Sequence, residues 1–186
     1  MNPLTHRRVA RAVGAEGSGT VVAIGPEVTI PVGARVCWGA VLGSCATLVT
    51  AAASMLAPIP NGLSFVDCAC LPVAGLTAGG LARVWPLKGR AAVVWGAAGA
   101  VGRMLVAILA DQGANVIGIT SGARTNAVRA AGASHVIDRT TQNVKDAVRE
   151  HTGGQGAAAI FDSHRSFNFR DQLRTAGPAR LPDQLW

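Results

Sequence analysis

The sequence predicts an α/β fold in which a parallel sheet is covered by helices on both faces, preceded by a stretch of short strands around tight turns. Two observations carry this. Downstream of residue 86, apolar runs of strand length alternate with helix-length segments, the rhythm of parallel strands joined by crossover helices. Upstream, residues 14–60 are rich in Gly and Val, with Gly14, Gly17, Gly19, Gly25 and Gly33 recurring where backbone freedom suits turns.

The elements follow in order. Residues 35–38 and 45–50 read as two β-like pieces split by a Gly-Ser turn. Ser64 followed by Asp67 reads as a capping box opening a helix. A second helix is expected over residues 73–85, ended by Pro86. Then come an apolar strand at 91–95, a helix at 101–111, a strand at 115–120 and a helix at 125–131. A short strand at 135–138, a helix at 141–151 and a strand at 157–162 complete the pattern.

Composition narrows the function. The chain has 186 residues, 49% hydrophobic and 15% charged, too apolar for charge-driven disorder. It has no Tyr, which rules out a tyrosine acid from this polypeptide. The net charge of +7 is concentrated at the ends, in Arg7, Arg8 and Arg11 and in Arg165, Arg170, Arg174 and Arg180. Those arginines are split between two ends of the chain, so nucleic acid is not expected as a partner. Residues 36–66 carry no charge and are long enough to suggest a membrane span, but Gly39, Gly43, Ser44, Pro58 and Pro60 argue against a helix there.

Cys37, Cys45, Cys68 and Cys70 form no C-x-x-C pair and have no zinc-ligand spacing with His. Their apolar flanks read as small buried hydrophobes in a reduced, cytoplasmic protein. His6, His135, His151 and His164 have no identifiable partners in the sequence, and no catalytic residue is nominated.

The sharpest signal is the run from Val93 through Trp95 and Gly96 to Gly102, an A-x-G-x-x-G variant of a dinucleotide fingerprint between strand and helix. Gly99 would let the backbone approach a pyrophosphate, and Gly102 would let the helix pack on the strand. The amides of Ala100, Val101 and Gly102 would face the phosphates at the positive helix end. The next strand ends Thr120-Ser121-Gly122-Ala123-Arg124 with no acid for a ribose diol. A hydroxyl, a Gly and an Arg suit a 2′-phosphate, so NADP(H) is the expected cofactor. The bland alternative leaves Arg124 on a solvated helix turn.

Several motifs in order resemble the quinone oxidoreductase (zeta-crystallin-like) branch of the medium-chain dehydrogenase/reductase superfamily. They are the Gly14-Ala15-Glu16-Gly17 stretch with Gly33-Ala34-Arg35-Val36, the run Leu71-Pro72-Val73-Ala74-Gly75-Leu76-Thr77-Ala78, the fingerprint, and the segments beginning at Ala130 and Thr152. The resemblance implies a partial NADP-binding Rossmann domain over residues 73–163, preceded by an incomplete GroES-like domain over 14–72. Residues 1–13 form an unmatched basic N-terminus and 164–186 an unmatched tail, so a chain truncated at both ends is expected.

The resemblance implies NADPH-dependent hydride transfer to a quinone or α,β-unsaturated carbonyl, with a truncated, non-catalytic fragment that at most binds NADP as the alternative. It maps Ala98, Gly99, Ala100, Val101 and Gly102 onto the pyrophosphate turn, and Ser121, Gly122 and Arg124 near the 2′-phosphate. Thr77 falls near the nicotinamide, and Arg139 stands where a Tyr often lies near the adenosine. Ala15 stands where zinc-dependent relatives place a His, so no metal is expected. The family's homodimer is in doubt because the sheet edge that carries it is unmatched.

Overall fold

The fold comes from a computed structural model, which describes residues 13–162. The chain divides into two compact units, the first ending at Val73 and the second beginning at Ala74.

The first unit is built on three antiparallel strands in the order β1 (Glu16–Thr20), β2 (Arg35–Gly39) and β3 (Leu56–Pro58). Trp38 dictates the sequence opposite it. A Cβ on Gly17 would sit 2.7 Å from its ring, so only glycine lets the indole lie flat across β1. The indole N–H donates to Ser44 Oγ at 2.9 Å, fixing the ring.

Residues 45–50, expected as a strand, form none. A strand needs a ladder partner, and both edges of β2 are already taken by β1 and β3. The charge-free region 36–66 is therefore two short strands, turns and the start of a short helix, and among the described residues no helix is long and apolar enough to cross a membrane.

The capping prediction holds for helix α1 (Phe65–Ala69). Ser64 Oγ accepts the Asp67 N–H at 3.1 Å and donates to its carboxylate at 2.6 Å. Helix α2 (Pro72–Ala82) starts with Pro at its first position, where the missing N–H costs nothing. The next N–H, of Val73, donates to Glu16 Oε2 at 2.9 Å, an acid at the positive end of the helix. The helix stops at Ala82, earlier than expected, and the chain reaches Pro86 through a turn.

The second unit is a four-stranded parallel sheet in the order β6–β5–β4–β7: β4 (Ala91–Trp95), β5 (Asn115–Thr120), β6 (His135–Asp138) and β7 (Ala159–Phe161). Helices α3 (Ala100–Asp111), α4 (Thr125–Ala130) and α5 (Val144–His151) make the crossovers. This is the doubly wound arrangement expected from the alternating pattern.

Two apolar clusters sandwich the sheet. Ala78, Ala82, Val94, Leu105, Val106, Leu109, Val116 and Val128 pack on one face, and Val93, Ile117, Ile119, Ile137 and Val148 on the other. Alternate residues of β4 and β5 thus feed opposite cores.

Gly118 lies mid-strand because an added Cβ would meet Val128 Cγ1 at 2.4 Å and Ala97 Cβ at 3.1 Å. Gly118→Ala is expected to destabilise the chain by about 1–3 kcal/mol through overpacking. Leu105→Ala, which opens a cavity instead, should cost about 2–5 kcal/mol. Chemical denaturation of both variants checks this ordering.

Candidate nucleotide-binding site

Because β4, β5 and β6 are parallel neighbours, the loops leaving their carboxyl ends stand side by side, about 5 Å apart per strand. Register pairs Trp95 with Ile119 and Thr120 with Asp138. The predicted residues Ala98, Gly99, Ala100, Val101, Gly102, Ser121, Gly122, Arg124 and Arg139 are therefore gathered along one edge of the sheet.

The turn after β4 is a compact backbone structure. Gly96 adopts a left-handed φ of 63°, and the Gly99 N–H returns to its carbonyl at 2.8 Å. The Ala97 N–H donates to Ile119 O at 3.1 Å, tying the turn to β5. Gly99 is the N-cap of α3 and has no side chain to cap it.

The first intrahelical bond runs from the Arg103 N–H to Gly99 O at 2.9 Å. The amides of Ala100, Val101 and Gly102 come before it, so the helix itself gives them no acceptor. Gly99 and Ala100 are exposed, Ala98 and Val101 half-buried, and Gly102 buried.

Gly102 explains the close fit of helix on strand. A Cβ there would stand 2.3 Å from Gly96 O and 2.9 Å from Ala97 Cα, both backbone atoms with nowhere to go. At Gly99 it would lie 3.2 Å from Gly96 O, on the open side of the turn. The arrangement offers donor amides at the positive end of a twelve-residue helix, with a floor free of side chains. A dinucleotide diphosphate fits such a cradle.

Beyond β5, Ser121 is half-buried and precedes a single 3-10 turn over Gly122–Arg124. Gly122 takes a φ of 51°, and Arg124 is exposed at the N-cap of α4. Arg139, also exposed, gives its N–H to Thr120 O at 3.0 Å. Thr77 is exposed on α2, one residue before Ala78, which packs into the same core as Leu105 and Leu109.

Sequence reasoning missed Asp138. Its Oδ1 accepts from the Thr140 N–H at 2.9 Å and the Thr140 hydroxyl at 2.6 Å. Hydrogen bonds from Thr140 first, then from the Gly122 N–H, hold this carboxyl below the usual carboxylate range, and nearby Arg139 adds to the effect. Asp followed two residues later by Thr was the available signal for this turn. No local pattern shows its reach across to Gly122.

Two further expectations are corrected. His135 and His151, read as without partners, stack with ring centroids 4.1 Å apart at 15°. Partial burial, then the His151 charge, pushes the His135 pKa down. The pair lines a cavity of about 910 Å³ with Arg90 and Asn115 at the opposite, amino-terminal edge of the sheet, away from every predicted site residue. His6 and His164 lie outside the described residues.

The cysteines also differ from one another. Only Cys68, inside α1, is buried; Cys37 on β2 is half-buried, and Cys45, in a loop, and Cys70, at the C-cap of α1, are exposed. All four are free thiols, and burial, followed by the proximity of Cys68, pushes the Cys37 thiol up.

A glycine-cradled turn at the carboxyl edge of a parallel sheet defines a dinucleotide-binding α/β class. A family model described as zinc-binding dehydrogenase matches residues 100–176. The quinone oxidoreductase of Pseudomonas aeruginosa is 32% identical over 174 residues, covering 91% of this chain and 54% of that protein. The pikromycin polyketide synthase component PikAII of Streptomyces venezuelae is 35% identical over 173 residues, covering 89% of this chain and 4% of that protein.

The crystal structure of Escherichia coli quinone oxidoreductase complexed with NADPH superposes with a TM-score of 0.82 at 27% identity, over 88% of this chain and 52% of that one. These matches support the quinone oxidoreductase branch of the medium-chain dehydrogenase/reductase superfamily for this chain. It spans about half the length of the quinone oxidoreductases it matches. Among the described residues no group of three or more His, Cys, Asp or Glu is assembled that fits the zinc of the family description.

Two outcomes follow. Gly102→Ala must push α3 off the turn and is expected to cost about 1–3 kcal/mol, read by thermal melting. The lowered Asp138 pKa means its stabilising bonds are fully present above the ordinary carboxylate range and are lost as pH falls through the depressed folded value. Thr140→Ala should move that acid transition upward, as followed by NMR titration of the Asp138 carboxyl.

Proposed function

We propose that the chain binds NADP(H) at the carboxyl edge of its parallel sheet and serves as the nucleotide-binding part of a zinc-independent quinone or enone reductase. The turn around Gly102 carries this reading, because it buries a glycine under the helix and leaves the Gly99 and Ala100 backbone open. Ala98, Gly99, Ala100, Val101 and Gly102 would hold the diphosphate through backbone amides, with no side chain in the way. Ser121, Gly122 and Arg124 would meet the 2′-phosphate, Arg139 would lie near the adenosine, and Thr77 would approach the nicotinamide end.

Bound there, the cofactor supplies hydride from its nicotinamide C4 to a quinone or α,β-unsaturated carbonyl. The protein's own work is then orientation and exclusion of water. The NADPH complex of the Escherichia coli relative supports the cofactor, and the name of the Pseudomonas aeruginosa relative supports the substrate class. A small-molecule substrate and a cytoplasmic setting belong to the same reading.

A second reading is nucleotide binding without turnover, in which the residues at the strand ends would bear on the nucleotide alone.

Fluorescence titration with NADPH, alongside an assay of NADPH oxidation by a simple quinone, separates the two. Saturable binding with turnover supports the first, and binding alone supports the second. Failure to bind NADPH or NADH overturns both. Gly99→Asp should weaken binding at least tenfold without a loss of stability, since it sets a negative charge on the open side of the turn. Arg124→Gln should weaken NADPH by about tenfold while leaving NADH unchanged, as loss of one charge-assisted phosphate bond requires.

A further inference from the structure

We propose that Asp138 is a selectivity-determining residue of the nucleotide site, a fixed carboxylate that opposes a 2′-phosphate beside the Gly122 amide. The inference rests on the nucleotide reading above and adds a residue to it.

Position is the first argument. Asp138 ends β6 directly opposite Thr120, and the Arg139 N–H to Thr120 O bond closes that pair. Gly122 follows Thr120 by two residues, and its N–H helps hold the Asp138 carboxyl below the usual carboxylate range. The acid is thus delivered to the end of β5 from the neighbouring strand, although β5 itself ends without one.

Rigidity is the second. Thr140 holds Oδ1 through both its N–H and its hydroxyl, and the Asp138 N–H donates to Gln142 Oε1 at 2.9 Å. With its carboxylate held by two bonds from Thr140 and its backbone by one to Gln142, Asp138 is restrained from swinging away when a ligand arrives.

Chemistry supplies the direction. An ionised carboxylate only accepts hydrogen bonds, and so does a phosphate oxygen that has lost its proton. The two compete for the Gly122 N–H and repel each other. A ribose 2′-hydroxyl can instead donate to the carboxylate, as acids do in sites that prefer NAD. Arg124 and Arg139 pull the other way, and Asp138 offsets part of their charge. Selectivity at this edge is a balance of two cations against one anion, and Asp138 holds down the preference for the phosphorylated cofactor.

The test is fluorescence titration of the whole chain and its Asp138→Asn variant with NADPH and with NADH, with adenosine 2′,5′-bisphosphate as a competing probe. Asn keeps an acceptor for Thr140 and removes the charge. NADPH and the bisphosphate should bind about fivefold more tightly to the variant, the effect of one removed like charge at exposed contact distance. NADH should bind equally or more weakly, so the NADPH-to-NADH ratio rises.

An equal change for both nucleotides, or none, overturns the inference while the nucleotide reading stands. Failure of the unsubstituted chain to bind either nucleotide removes both. Thr140→Ala, which keeps the acid and frees it to turn away, should shift the ratio in the same direction by less. An unchanged ratio there, with a fall in melting temperature alone, would show that Asp138 only closes a turn.

Discussion

The backbone of α3 touches the backbone of the turn after β4 where Gly102 stands over Gly96. The 2.3 Å that a Cβ would leave there allows no other residue without moving the helix. That contact sets how deeply α3 sits, and so how Leu105, Val106 and Leu109 reach the core shared with Val94, Val116 and Val128. It also aims the amides of Ala100, Val101 and Gly102 at the open side of the turn. One missing side chain therefore joins the stability of the second unit to the donor geometry of its edge.

The chemistry along that edge is set by the neighbouring strands. β5 brings Ser121, Gly122 and Arg124, while β6 brings Asp138 and Arg139, and the parallel register puts the two groups side by side. The helix end and the arginines favour an anion, and the carboxylate opposes one. On the proposed reading, the balance between them would decide which nucleotide suits the site, in the way that surface charge more often tunes specificity than total affinity.

Much of this could be read from the chain. The strands at 91–95 and 115–120 matched their apolar runs residue for residue, because a buried parallel strand needs an apolar stretch, and the short extended stretch at 135–138 is also a strand. The fingerprint was legible because its glycines answer steric demands local to one turn, and the Ser64–Asp67 cap was legible for the same reason. What escaped depends on partners distant in sequence. Residues 45–50 have strand-like composition but find no free edge on β2. The strand role fell to Leu56–Pro58, which composition did not mark. Cys45 and Cys70 have apolar neighbours in sequence yet face solvent, since burial is decided by what lies across from a residue. The His135–His151 stack joins the start of a strand to the end of a helix, and the Arg139–Thr120 bond beside Asp138 joins two strand ends.

The most direct measurement is an amide NMR titration of the chain with NADPH. The account predicts saturable shifts concentrated on the Gly99, Ala100, Val101 and Gly102 amides, with a second group at Ser121 and Gly122. The amides lining the His135–His151 cavity should stay still. Shifts centred on that cavity, or no shifts at the turn after β4 while NADPH binds, would contradict it.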